Sequence, residues 1–192
     1  MKFRESPAAH RYLDGLSGLE IGGSAHNSFG LKTRNVDYCA DMDTVYKLAE
    51  VEMCGEAMPV DITAPGNKIP VPDKSEDFVI SSHVIEHFFD PMGALLEWVR
   101  VARRYIYIIC PLRDALESDV NLPITPLEEL IDRHSGKIAM PPGNEWDYPL
   151  HFTRWTPMGF VQMCQYMGLN VVEVQQKDDK VGNGFAVVIK LD

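Results

Sequence analysis

Apolar positions along the chain repeat at two spacings, about 2 residues in some stretches and about 3.6 in others, and the switches between them mark the elements. Ser6-Pro7 reads as a helix start, with Ser6 as N-cap and Pro7 at the first helical position. Leu13, Leu16 and Leu19 carry the apolar spacing into a short strand, LEI, which runs into Gly22-Gly23-Ser24. A second strand is expected over 36–40, ending at Asp41-Met42-Asp43, and a helix over 44–54 with Val45, Leu48, Ala49 and Met53 on one face. The run PVDI makes a third short strand that ends at Asp61-Ile62-Thr63.

After the loop APGNKIPVPDKSE comes the segment DFVISSHVIEH, residues 77–87, in which a β-rich run gives way to what reads as a helix start. Asp90-Pro91 caps a further helix with Met92, Leu95, Leu96 and Val99 at the spacing of a buried face. YIYIIC, residues 105–110, is β-branched and aromatic throughout, as a central strand buried on both faces must be. Thr125-Pro126 with Glu128 has the form of a capping box for a helix reaching His134, and Thr156-Pro157 starts another that Gly168 closes. The runs NVVEVQ and FAVVIKL flank the polar loop DDKVGNG as a terminal antiparallel pair. Strands alternating with helices imply an α/β, Rossmann-like sandwich with a mostly parallel sheet.

Composition narrows the functional classes. A chain of 192 residues suits one domain with a full core, and a net charge of −10 argues against nucleic acid as partner. Arg100, Arg103 and Arg104 are the one cluster of cations and fit a helix end. No apolar run nears the ~20 residues of a membrane span, and the first residues lack a signal-peptide core. Cys39, Cys54, Cys110 and Cys164 form no Cys-x-x-Cys pair, so free thiols are expected. A cytoplasmic location and no membrane partner are the expectation.

Chemistry concentrates at the ends of the expected strands. Glycines after LEI let a backbone approach a ligand closely, although the segment is not G-x-G-x-x-G. Asp41, with Asp43 as its neighbour and competitor, ends the second strand, where a carboxylate can accept two hydrogen bonds from a ribose diol. Asp61 ends the third and can accept from an exocyclic amine, and each acid can equally cap the following turn. His83-x-x-Glu86-His87 spells the inverted zinc-protease motif, with Glu117, Glu128, Glu129 or Glu145 as a third ligand, which gives a zinc-dependent hydrolase as the alternative.

Together these segments resemble the class I S-adenosylmethionine-dependent methyltransferases, specifically the type-11 group. LEIGGS is similar to their first motif, acid-x-Gly-x-Gly, which implies cofactor contacts at Glu20, Gly22, Gly23 and Ser24. Asp41 falls at their ribose-binding acid, Asp61-Ile62 at the adenine edge, and DFVISSHVIEH at their fourth-strand motif. KIPVPDKSEDFV resembles their lead-in to that strand, and HFTRWTP, residues 151–157, matches more loosely. The resemblance implies a seven-stranded sheet, S-adenosylmethionine as cofactor, a small-molecule acceptor and no resident metal. Within the group the chain looks most like small enzymes of surface-polysaccharide or sugar pathways. Ser24 replaces the second motif glycine and SAHNSFGLKTR makes a poor first crossover helix, which keeps a non-catalytic cofactor-binding protein as a further alternative.

In such an enzyme Ser82 and His83 border the methionine part of the cofactor, and His83 is a base candidate. Glu86 and His87 are expected to cap and pack the helix start. The acceptor-side insertion of this fold falls at about 111–155, where Trp146, Asp147, Tyr148, His151, Arg154 and Trp155 gather, with His151 as second base candidate.

Overall fold

Two strands, β4 (Glu76–Ser82) and β5 (Ala102–Pro111), form the middle of a seven-stranded sheet in a computed structural model that describes residues 1–117, 119–143 and 151–191. β1 (Gly18–Ile21), β2 (Thr33–Asp37) and β3 (Ile62–Thr63) extend it on one side, all parallel, and β7 (Gly184–Lys190) and β6 (Asn170–Gln175) on the other. The order is β3-β2-β1-β4-β5-β7-β6, with β7 antiparallel to both β5 and β6. The parallel part and the C-terminal antiparallel pair are what the sequence pattern implies, and the seven strands are what the family resemblance implies.

Alternation along β5 divides the core. Ile106, Ile108 and Cys110 face one side, with Trp98, Met92 and Leu95 of α3 (Pro91–Val101) and Phe160 and Met163 of α5 (Pro157–Tyr166). Tyr107 and Ile109 face the other, with Phe29 and with Ala8, Ala9 and Leu13 of α1 (Pro7–Leu13). Caps act where expected: Ser6 Oγ accepts from the Ala9 amide at 3.1 Å, Asp90 Oδ1 from Gly93 at 2.9 Å and Thr156 Oγ1 from Gly159 at 3.0 Å.

Several local expectations change. Thr125 does not cap α4 (Leu127–His134); its hydroxyl accepts from the Arg154 amide at 3.2 Å, so the capping box gives way to a tie between distant loops. Leu96 is exposed, and Ala94 and Trp98 take its place on the buried face of α3. Arg103 and Arg104 lie in β5, beyond the helix end, and Arg103 pairs with Asp77 at 2.8 Å. HVIEH forms a single 3-10 turn, Ile85–His87, before α3 begins at Pro91.

The helix α2 (Val45–Cys54) is turned over relative to its apolar pattern. Val45, Leu48 and Met53 are exposed, whereas Lys47 and Glu50 are buried at 2% and 3% exposure. Backbone satisfaction explains the inversion: Glu50 Oε2 accepts from the amides of Ala25 and Met58 at 2.9 and 2.8 Å, and Lys47 bridges to Glu50 at 2.8 Å. An amide left unpaired in a closed loop costs ~1–3 kcal/mol, so two such amides outweigh an apolar stripe at the edge of the fold. Among the described residues no helix is long and apolar enough to cross a membrane.

Candidate active site

The carboxyl ends of β1, β2 and β4 meet at a glycine turn. Gly22 takes φ +64°, and a Cβ there would stand 2.8 Å from Val84 Cγ2. At Gly23 a Cβ would meet Asn35 Oδ1 and Met58 Sδ at 2.8 Å each, so only glycine lets the turn lie this close to its neighbours. Asn35 holds the turn by accepting from the Gly23 amide at 2.9 Å and donating to Pro59 O at 2.9 Å. Ser24 follows at partial exposure and leads into a 3-10 turn, Ala25–Asn27, which stands in for the first crossover helix. Buried His26 Nδ1, Asn27 Oδ1 and Ser81 Oγ lack a hydrogen-bond partner among the described residues.

The acid at the end of β2 is Asp37. β2 pairs with β1 from Thr33 to Val36 and with β3 through Asp37, so Asp41 lies in the exposed loop beyond it, beside Asp43. Asp37 is half-buried, its carboxyl pushed above the usual carboxylate range by burial and drawn back by the Lys47 ammonium, 4.0 Å away. Asp61 precedes β3 and does not end it. Its Oδ2 accepts from the Asn35 amide at 2.7 Å, while Ile62 starts the strand at partial exposure.

Glu20 sits behind the turn at 3% exposure, accepting from Thr33 Oγ1 at 3.1 Å. Burial raises its pKa to about 7 against the opposing pull of the Thr33 bond and the Lys180 ammonium. In the unfolded chain the group releases its proton near 4.5, so the native state loses stability as pH rises from about 4.5 through about 7. Glu20→Gln is expected to abolish that slope. Urea unfolding at pH 5 and pH 8 should show the variant gaining on the wild type at the higher pH.

His83 follows β4 at φ +57°, a conformation that costs a non-glycine residue energy and that concentrates at functional positions. Its Nε2 bonds Asn183 Oδ1 at 2.9 Å and its Nδ1 bonds Ser82 Oγ at 3.0 Å, with Asn27 Nδ2 donating to the same hydroxyl at 3.1 Å. Both ring nitrogens are engaged, and burial lowers its pKa. A cleft of about 600 Å³ lies beside this chain of contacts, lined by Leu112, Arg113, Asp114, Ile124, Trp155 and Asn183.

A second group of side chains gathers at the 3-10 turn after His83. The amides of Phe152 and Thr153 donate to Glu86 O at 3.0 and 3.2 Å, which lays the His151 segment across the turn. His151 Nδ1 bonds Asp119 Oδ2 at 2.6 Å, its Nε2 stands 3.9 Å from Glu86 Oε1, and its ring meets that of His87 edge-on at 4.7 Å. Glu86 is fully buried, and the loss of water raises its pKa to about 8. Burial, followed by the neighbouring His151 and His83, lowers His87 to about 4.

Residues 19–110 match the family model described as "Methyltransferase domain". That stretch is just under half of the chain, and over it the chain is similar to methyltransferase domains. No curated protein sequence matches it. A SAM-dependent methyltransferase from Aquifex aeolicus shares the fold at 18% identity and a TM-score of 0.53, over 98% of this chain and 95% of that one. A second, from Methanosarcina mazei, aligns at 14% identity and a TM-score of 0.57 over 100% and 99%. Magnesium protoporphyrin IX methyltransferase of Synechocystis, solved with bound SAH, aligns at 12% identity and a TM-score of 0.55 over 96% and 78%. At these identities the likeness is one of fold.

The residues around the glycine turn fit S-adenosylmethionine as a ligand. A glycine turn with no room for a Cβ, a half-buried carboxylate at the end of β2 and unpartnered polar atoms at His26, Asn27 and Ser81 suit an amino-acid and ribose ligand. Of the expected cofactor residues, Gly22, Gly23, Ser24 and Ser82 lie around this turn, Glu20 is walled off beneath it, Asp41 lies in the loop beyond β2, and Asp61 directly precedes Ile62 at the start of β3. Asp37 was hidden by the strand boundary; counting register from the glycine turn back through β1 would have found it. The alternative zinc set of His83, Glu86 and His87 is not assembled. The 3-10 turn never completes the helical spacing the motif needs, and His83 is tied to Asn183 instead. Trp146, Asp147, Tyr148 and Glu145 lie outside the described residues.

Proposed function

We propose that the chain transfers a methyl group from S-adenosylmethionine to a hydroxyl of a small cytoplasmic acceptor, a sugar or polysaccharide precursor. The cofactor, when bound, supplies an electrophilic methyl group. The remaining work falls to the chain itself: to hold donor and acceptor in line and to take up the hydroxyl proton. The observation that carries this reading is the buried Asp119–His151 pair at 2.6 Å. The tautomer that donates Nδ1–H to Asp119 leaves the Nε2 lone pair free to accept a proton, while the carboxylate steadies the imidazolium that forms. Arg154 keeps the segment in register by donating to His151 O at 2.7 Å.

His83, with both nitrogens bonded, serves as a positioning residue that fixes Ser82 and, at the cleft, Asn183. Buried Trp155 has an indole N–H without a partner among the described residues, which supports a polar acceptor in the adjoining cleft. The net charge of −10 and four free thiols support a small cytoplasmic acceptor over nucleic acid. Incubation with S-adenosylmethionine and a panel of nucleotide sugars should yield S-adenosylhomocysteine together with an acceptor heavier by one methyl group. A chain that binds no S-adenosylhomocysteine by calorimetry would sink the reading.

A further inference from the structure

We infer that Glu86, His87 and His151 form a binding site for one divalent first-row transition metal of the zinc class. Their ligand atoms lie within 4.8 Å of one another, and Glu86 Oε1 is 3.9 Å from His151 Nε2. Neither oxygen of the fully buried Glu86 carboxyl has a hydrogen-bond partner among the described residues. A carboxyl enclosed in this way beside two imidazoles lacks the partner that buried polar groups otherwise find, and a cation between the three groups supplies it.

The donor set selects the ion. Two imidazole nitrogens and one carboxylate suit zinc, cobalt or iron, whereas magnesium and calcium demand mostly oxygen ligands. Tetrahedral zinc at about 2.0–2.2 Å from each ligand needs donor atoms roughly 3.3–3.5 Å apart, so side-chain rotations of about 1 Å close the site. Three protein ligands leave a fourth position open to water or to an acceptor oxygen. Asp119 completes the arrangement: its carboxylate takes the Nδ1–H of His151, the outer contact that orients metal-bound histidines and raises their basicity. The site differs from the one the H-x-x-E-H motif spells, because His83 is replaced by a histidine from a distant loop.

This inference goes beyond the methyl-transfer reading and does not depend on it. The metal and the acceptor proton use the same Nε2 lone pair of His151, so the metal-loaded chain and the base-competent chain are two separate states.

The test uses the untagged full-length chain, stripped with chelator and titrated with zinc by calorimetry and with cobalt by visible absorption. One ion per chain is expected, with a cobalt spectrum of low coordination number and a thermal midpoint that rises with zinc. His87→Ala and His151→Ala should each abolish the cobalt spectrum, and Asp119→Asn should weaken zinc by roughly 10–100-fold. His134→Ala, at an exposed histidine paired with Asp90, should bind as the wild type does. A cooperative thermal unfolding transition in each metal-free variant shows that the fold survives, and Glu86→Gln offers a variant of nearly unchanged volume. Absence of saturable zinc binding below millimolar concentration, or binding that survives His87→Ala and His151→Ala together, would overturn the site. Failure of methyl transfer alone would show as missing product with the cobalt spectrum intact.

Discussion

Asp37→Ala is expected to cost roughly 100-fold in cofactor affinity, about 3 kcal/mol, with the fold retained. The carboxyl ends β2 beside the glycine turn and keeps one oxygen on the Tyr38 amide at 2.8 Å. A ribose diol that donates to this carboxylate makes charge-assisted bonds, each worth about 1.5–3 kcal/mol, and alanine removes them at once. Asp41→Ala should change affinity by no more than about 2-fold, because an exposed loop acid away from the strand end contributes little. Calorimetry with S-adenosylhomocysteine decides between the two. Wild-type affinity in Asp37→Ala, or an equal loss in Asp41→Ala, would remove Asp37 from the site.

His151→Ala should lower kcat by about 100-fold or more in chelated buffer, leaving the KM for S-adenosylmethionine near its wild-type value. Asp119→Asn should act in the same direction, since an amide at that position no longer compels the tautomer with a free Nε2. The split between kcat and KM separates this role from a structural one. His83→Ala should lose less turnover and raise the acceptor KM, in keeping with a ring that orients Ser82 and Asn183. Wild-type turnover in His151→Ala would refute the base assignment.

Much of the fold was legible because its causes are local or simply periodic. DFVIS read as a strand and YIYIIC as a central one, since a strand covered on both faces has no polar alternation to break the run. The caps at Ser6, Asp90 and Thr156 were legible because each hydroxyl or carboxylate serves an amide three residues on. Three readings failed for a shared reason. The end of β2, the buried face of α2 and the role of Thr125 are each decided by partners distant in sequence: pairing with β1 and β3, the amides of Ala25 and Met58, and Arg154.

The same division runs through the site. Sequence alone determined the sheet, the glycine turn at Gly22 and Gly23, the methyltransferase resemblance and the short list of histidines, because spacing and residue type carry that information. Only the tertiary structure decided that Asp37 and not Asp41 ends the strand, that His83 is tied to Asn183, and that Glu86, His87, His151 and Asp119 share one buried point. The physical reason is that these relations rest on hydrogen bonds across the fold. Glu86 O accepting from Phe152 and Thr153 joins two segments whose spacing along the chain says nothing of their contact.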